Sequence, residues 1–164
     1  MSTVNVNAKF MQDYIRAGSL EASESVLREL ASSPHHRVRM RVAENSSTPA
    51  DVLTGLAGDG SAEVRIAVAA NSKTPLSTVL DLAMDDDEYV RIGLAQEVST
   101  PVAVLSLLEQ DDNPYIAIEA SRTLRIVNET RAGAGRANLR LVSNRNCIQA
   151  ATPESSQPAM ASSN

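Results

Sequence analysis

A chain of 164 residues, 43% of them hydrophobic, can build one core of ordinary size, but 2% aromatics and no tryptophan leave few platforms for stacking bases or sugars. The formal charge of −5 is uneven: residues 131–164 set Arg131, Arg136, Arg140 and Arg145 against Glu154, a net +3, so the residues before them carry −8. An acidic body repels a phosphate backbone, which disfavours nucleic acid as the main partner.

Residues 1–8 lack the apolar run of a secretory signal and read as a flexible start. No stretch approaches the ~20 apolar residues of a membrane span, so the chain is expected to be soluble and cytoplasmic, with no membrane contact. From Lys9 to Ala17, Phe10, Met11, Tyr14 and Ile15 share one face of a short helix, which Gly18 is expected to end in the left-handed conformation. The next helix carries Val26, Leu27, Leu30 and Ala31. Its columns return after 26 residues at Val52, Leu53, Leu56 and Ala57, and again at Thr78, Val79, Leu82 and Ala83. A further step gives Val104, Leu105 and Leu108.

Three of these segments open with a Thr-Pro pair, at Pro49, Pro75 and Pro101. Threonine is expected to cap free helix N–H groups, with proline at the first helical position, where it has no N–H to lose. Between them lies a second apolar pattern, seen at Val38-Arg39-Met40-Arg41-Val42-Ala43, Val64-Arg65-Ile66-Ala67-Val68-Ala69 and Val90-Arg91-Ile92-Gly93-Leu94-Ala95. It follows polar turns such as Asp59-Gly60-Ser61, Asp85-Asp86-Asp87 and Asp111-Asp112-Asn113, whose carboxylates suit helix N-termini. Asn45 and Asn71 fit left-handed helix exits, and Glu97 breaks that column. After Pro114 the pattern runs on through Ile116, Ala120, Leu124 and Val127 as a capping helix, 116–129. Residues 130–164 are rich in Gly, Ala, Ser and Pro and are expected to be disordered, with one small apolar island at Leu139, Leu141 and Val142.

A fixed period of 26 residues signals stacked helical units. The expected organisation is a repeat domain over 9–129, with units at about 22–37, 38–63, 64–89 and 90–115. The unit of Thr-Pro, an apolar pair, Leu-Ala, Asp, Val-Arg and Asn is clearest over residues 48–71 and resembles the leucine-rich repeat variant family, a HEAT-like helical repeat. The likeness covers roughly residues 22–122. It implies an all-α fold, a short right-handed α-solenoid of two-helix repeats with no sheet, in which one helix of each pair can be 3₁₀. One type of member carries a cysteine-bound iron–sulfur cluster; this chain has no cysteine before Cys147, so no cofactor is carried over.

Arg39, Arg65 and Arg91 recur six residues after Ser33, Asp59 and Asp85. They fit either a ladder gripping an acidic partner or a fold-defining set that bonds the turns, and recurrence favours the second. With Asp59, Asp85, Asp111, Pro49, Pro75 and Pro101 they make the structural signature of the repeat. The acidic run Asp85 to Glu88 lacks the spacing of a calcium loop. His35 and His36 diverge as neighbours on a helix and do not make a zinc pair. No catalytic, cofactor or metal constellation emerges. Leu76, Leu80, Val102 and Leu107 are apolar where the first full unit has Ala50, Thr54, Ala50 and Gly55 in register, so they form the candidate partner-binding strip. The fallback surface is the column Arg41, Ala67, Gly93 and Glu119. The expected function is a non-enzymatic module that binds a protein or peptide. The alternative is an accessory or lyase-like HEAT-repeat protein acting on a bound chromophore or modified base.

Overall fold

The two apolar patterns become two kinds of helix. The structure, a computed structural model, describes the backbone of residues 3–149 and the side chains of residues 7–132. Among them are α1 (Thr3–Ala17), four helices of seven residues and four longer ones. The seven-residue set is α2 (Glu24–Leu30), α4 (Ala50–Leu56), α6 (Leu76–Leu82) and α8 (Val102–Leu108). The second set is α3 (His36–Glu44), α5 (Ala62–Ala70) and α7 (Glu88–Gln96), nine residues each, and α9 (Pro114–Gln149). All nine are α-helices, so the short member of each pair is not 3₁₀, and no strand occurs among the described residues. The chain divides into two compact units, Met1–Val127 and Asn128–Asn164. Helices α1–α8 and the opening of α9 belong to the first, and the rest of α9 to the second.

Helices this short are marginal in water and form because each buries a stripe. In the seven-residue set the stripe is an i, i+3 pair: Leu27 and Leu30, Leu53 and Leu56, Val79 and Leu82, Leu105 and Leu108, all buried. In the longer set it is an i, i+4 pair: Val38 and Val42, Val64 and Val68, Val90 and Leu94, Ile116 and Ala120. The helices α1, α3, α5 and α7 pack in succession, and buried residues of α1 to α8 and the opening of α9 form one core, to which α8 contributes Val104 and Leu108. Truncating a fully buried leucine of this kind to alanine costs about 2–5 kcal/mol.

Hydrogen bonds at the helix ends differ from the sequence expectation. Thr48, Thr74 and Thr100 do not accept from a helix N–H. Their hydroxyls donate to the carbonyls of Val42, Val68 and Leu94 at 2.6, 2.6 and 2.8 Å, tying each seven-residue helix back to the end of the helix before it. Pro49, Pro75 and Pro101 take the cap position, and their carbonyls accept the first helical bonds from Leu53, Val79 and Leu105 at 3.1 Å. Asn45 and Asn71 leave their helices in extended conformation, φ −72° and −77°, not left-handed. Their amides reach back to the preceding segment: Asn45 Nδ2 donates to Ala17 and Ser19 carbonyls at 2.8 Å, and Asn71 Nδ2 to those of Ala43 and Asn45 at 2.7 and 3.1 Å. Gly18 also lacks the left-handed conformation. A Cβ there would lie 2.8 Å from Arg41 Nη2, so the glycine makes room for that guanidinium.

Two boundaries shift. Helix α1 opens at Thr3, ahead of Lys9, since neither proline nor glycine precedes Gly18. Helix α9 continues past Glu129 to Gln149, carried by the Ala, Arg and Leu content of that stretch across Gly133 and Gly135. Of the disorder expected over residues 130–164, residues 130–149 are instead the end of α9, and residues 150–164 lie outside the described residues, as do the side chains of Leu139, Leu141, Val142 and Cys147.

Glu97 sits at the same helix exit, φ −87° and ψ 119°, but its carboxylate accepts from Ser99 and has no N–H to offer backward. Asparagine at this position would donate to the carbonyls of Ala69 and Asn71, as Asn71 does to Ala43 and Asn45. Glu97→Asn is therefore expected to raise stability by about 1 kcal/mol, the net worth of a bond of this kind. Urea melts of the two proteins check it; equal or lower stability would remove the asparagine bridge from the account.

Candidate functional site

Each recurrent arginine spans two turns. Arg39 Nη1 donates to the Ser33 carbonyl at 2.7 Å, while Nε and Nη2 donate to the Asp59 carboxylate at 2.6 and 2.8 Å. Arg65 repeats this with the Asp59 carbonyl at 2.7 Å and the Asp85 carboxylate at 2.7 and 2.9 Å. Arg91 does so with the Asp85 carbonyl at 2.6 Å and the Asp111 carboxylate at 2.7 and 3.3 Å. The planar guanidinium suits this task because it presents five donors in a fixed fork. Each carboxylate also accepts the backbone N–H two residues on, from Ser61, Asp87 and Asn113, all at 2.9 Å.

The electrostatics follow. The Arg39 hydrogen bond, working against burial, holds the Asp59 carboxyl below the usual range. At Asp85 burial is the largest single influence and pushes upward. The Arg65 bond, the Asp87 N–H and the charges of Arg65 and Arg91 together outweigh it, and the carboxyl ends lowered. Asp111 is also lowered: burial pushes upward, and the Arg91 bond and the Asn113 N–H prevail. The arginines are raised in turn, chiefly by the same bonds. These six side chains are occupied with each other and with the turn carbonyls.

The four residues of the candidate strip separate. Leu76 and Leu107 are 48% and 39% exposed, whereas Leu80 and Val102 are half-buried and Leu80 packs on the core. Leu107 joins Met84, Asp86 and Asp112 at a notch of about 370 Å³. The fallback column lies on the longer helices. Arg41 folds over the Tyr14 ring, 5.3 Å from its centroid, and donates to Glu44 at 2.9 Å. Ala67 forms part of an apolar groove of about 510 Å³ between α3 and α5, with Met40, Ile66 and Ala70, and Glu44 and Glu63 at its edge. A Cβ on Gly93 would meet Ile66 at 3.3 Å, and Glu119 pairs with Arg122 at 3.9 Å.

Sequence reasoning passed over Tyr89 and Tyr115, the second residues of α7 and α9, both exposed on this side. The signal that could have found them is their 26-residue separation, in the column of Met11, Arg37 and Glu63. His36 Nε2 lies 3.3 Å from Glu63, and His35 meets Phe10 edge to face. Among the described residues no cluster of His, Cys, Asp and Glu is arranged to hold a metal ion, and no helix is long and apolar enough to cross a membrane. No family model, curated protein or solved structure matches this chain.

The lowered carboxyls of Asp59, Asp85 and Asp111 set a pH dependence. Their pairs contribute fully above the unfolded carboxyl pKa of about 3.9, and that contribution is lost as pH falls through the lower folded values. Stability is thus expected to drop on acidification below about pH 4. Asp85→Asn should cost roughly 2–3 kcal/mol at neutral pH and show a shallower acid limb. Denaturant melts from neutral to acid pH check this; parallel curves for the two proteins would contradict it.

Proposed function

We propose that helices α1–α8 and the opening of α9 form a short right-handed α-solenoid of 26-residue, two-helix units, similar to leucine-rich-repeat-variant and HEAT-like arrays, and that it serves as a non-enzymatic protein-interaction module. The 26-residue recurrence of helix starts, at residues 24, 50, 76 and 102 and at 36, 62, 88 and 114, supports the repeat reading. So do the threonine, asparagine and arginine bridges, each made between the same positions in successive segments. Arrays of this kind stabilise each unit through its neighbours and present an extended face to a partner.

The observation that carries the binding role is the open apolar groove between α3 and α5. Its floor is apolar: Met40, Ile66 and Ala67 rest on the core and stay partly exposed, and Ala70 is exposed beside them. Contiguous apolar surface of this kind marks interaction sites on soluble domains. The partner is a protein or peptide segment, and the compartment in keeping with this reading is the cytoplasm.

Selection of displayed peptides on the full chain tests the reading, with Ala67→Arg as the comparison. Arginine is already accommodated at this column in Arg41, so the variant is expected to fold, and a circular dichroism melt verifies that. Peptides selected on the parent chain should lose about tenfold or more in affinity for Ala67→Arg, ~1.4 kcal/mol. Selection that yields no binder, or binders indifferent to the substitution, would remove the groove from the proposed function.

A further inference from the structure

The chain has only three tyrosines, and two of them, Tyr89 and Tyr115, stand 26 residues apart at the start of α7 and α9. They are 75% and 52% exposed, a large outlay of aromatic surface in a protein with so little of it. Tyr115 is tethered: its hydroxyl accepts from Gln96 Nε2 at 3.2 Å, which holds the side chain toward the end of α7. Tyr89 holds the same register position one step earlier. Ile118, 64% exposed, lies one turn beyond Tyr115 on α9. Gly93 adds no side chain where Ile66 approaches α7, so this part of the face stays low.

The segments that carry these tyrosines are predominantly acidic, with Arg122 and Arg125 beside Ile118 as the exception. Residues 59–121 contain twelve carboxylates and three cationic side chains, a net −9. Two of those cations, Arg65 and Arg91, are committed to Asp85 and Asp111, which leaves Lys73. The turns that lead into Tyr89 and Tyr115 carry Asp86 and Asp112, both exposed, and these two carboxylates share the notch that holds Met84 and Leu107. Carboxylates beside aliphatic side chains suit a lysine or arginine, whose stem is apolar and whose head is charged.

We propose that the tyrosine face and its acidic edge dock a basic polypeptide segment of another protein. Its apolar side chains anchor on Tyr89 and Tyr115, and its lysines or arginines lie along Asp86 and Asp112. The inference rests on the interaction-module reading and specifies its partner. Tyrosine is enriched among the residues that dominate binding energy, and complementary charge sets specificity and speeds encounter. A second copy presenting this same face would bring −9 against −9, and a nucleic acid would bring phosphate against the same carboxylates.

The test uses the full chain and three synthetic amphipathic peptides: one built of lysine and leucine, one with glutamate replacing lysine, and one with serine replacing leucine. Binding is read by anisotropy of labelled peptide and by tyrosine emission, which is the intrinsic signal in a chain without tryptophan. The lysine–leucine peptide should bind about tenfold or more tightly than either counterpart and perturb tyrosine emission. Tyr89→Ala with Tyr115→Ala should abolish that preference. Asp86→Asn with Asp112→Asn should weaken binding and flatten its salt dependence. Melts of both double variants confirm folding. Equal binding of the lysine–serine peptide, or indifference to either double variant in a folded protein, would overturn the proposal. Preference for the glutamate–leucine peptide would overturn the basic partner and leave the module reading standing. Failure of all three peptides to bind would also overturn it, with the module reading decided separately by peptides selected on the groove.

Discussion

Three arginines at one register each carry the carbonyl of one turn and the carboxylate of the next, twenty residues further on. The rest of the described structure depends on this fork. The helices it joins are seven or nine residues long and would not hold in isolation. The fork fixes the turn between each pair of helices to the turn of the following pair. It thereby sets the register in which Val38, Val64 and Val90, or Leu53 and Val79, join one core. Threonine and asparagine tie the opposite ends, each through one hydroxyl or amide reaching a carbonyl of an earlier segment. Backbone carbonyls at helix ends are satisfied by side chains of the next segment, so local and long-range structure form together.

Much of the fold could be read from spacing. The 26-residue recurrence of apolar columns identified the helices, and the structure resolves those columns into buried i, i+3 and i, i+4 pairs. What spacing could not supply was the direction of the polar side chains. A threonine before proline is compatible both with accepting from a helix N–H and with donating backward, and only the position of Val42 or Val68 behind it decides. Asparagine at a helix exit suits a left-handed residue, yet Asn45 and Asn71 stay extended because their amides have carbonyls of the preceding segment to bond. Gly18 was legible as a helix end, but it does not take the left-handed conformation, and the Arg41 guanidinium, 23 positions away in the chain, packs against it.

The candidate site was less legible for the same reason. Leu80 and Leu76 share a helix face in sequence, but neighbouring packing draws Leu80 inward and leaves Leu76 out. Single-residue hydrophobicity does not separate these two outcomes. The tyrosines carried a clearer periodic signal than the leucines, and their sparseness hid it. Together with the acidic turns they give this stretch a surface of mixed apolar and negative character, distinct from the arginine forks whose charges are internally balanced.

The claim that matters most is that the forks couple successive segments and are not incidental surface pairs. A double-mutant cycle on Arg65→Ala and Asp85→Ala, measured by urea melts at neutral pH, addresses it most directly. Contact through two hydrogen bonds in a largely buried setting predicts a coupling of about 1–3 kcal/mol, with the double variant far more stable than the sum of the single losses allows. Additive losses, with coupling near zero, would contradict the account and reduce the forks to ornament on a core that holds itself.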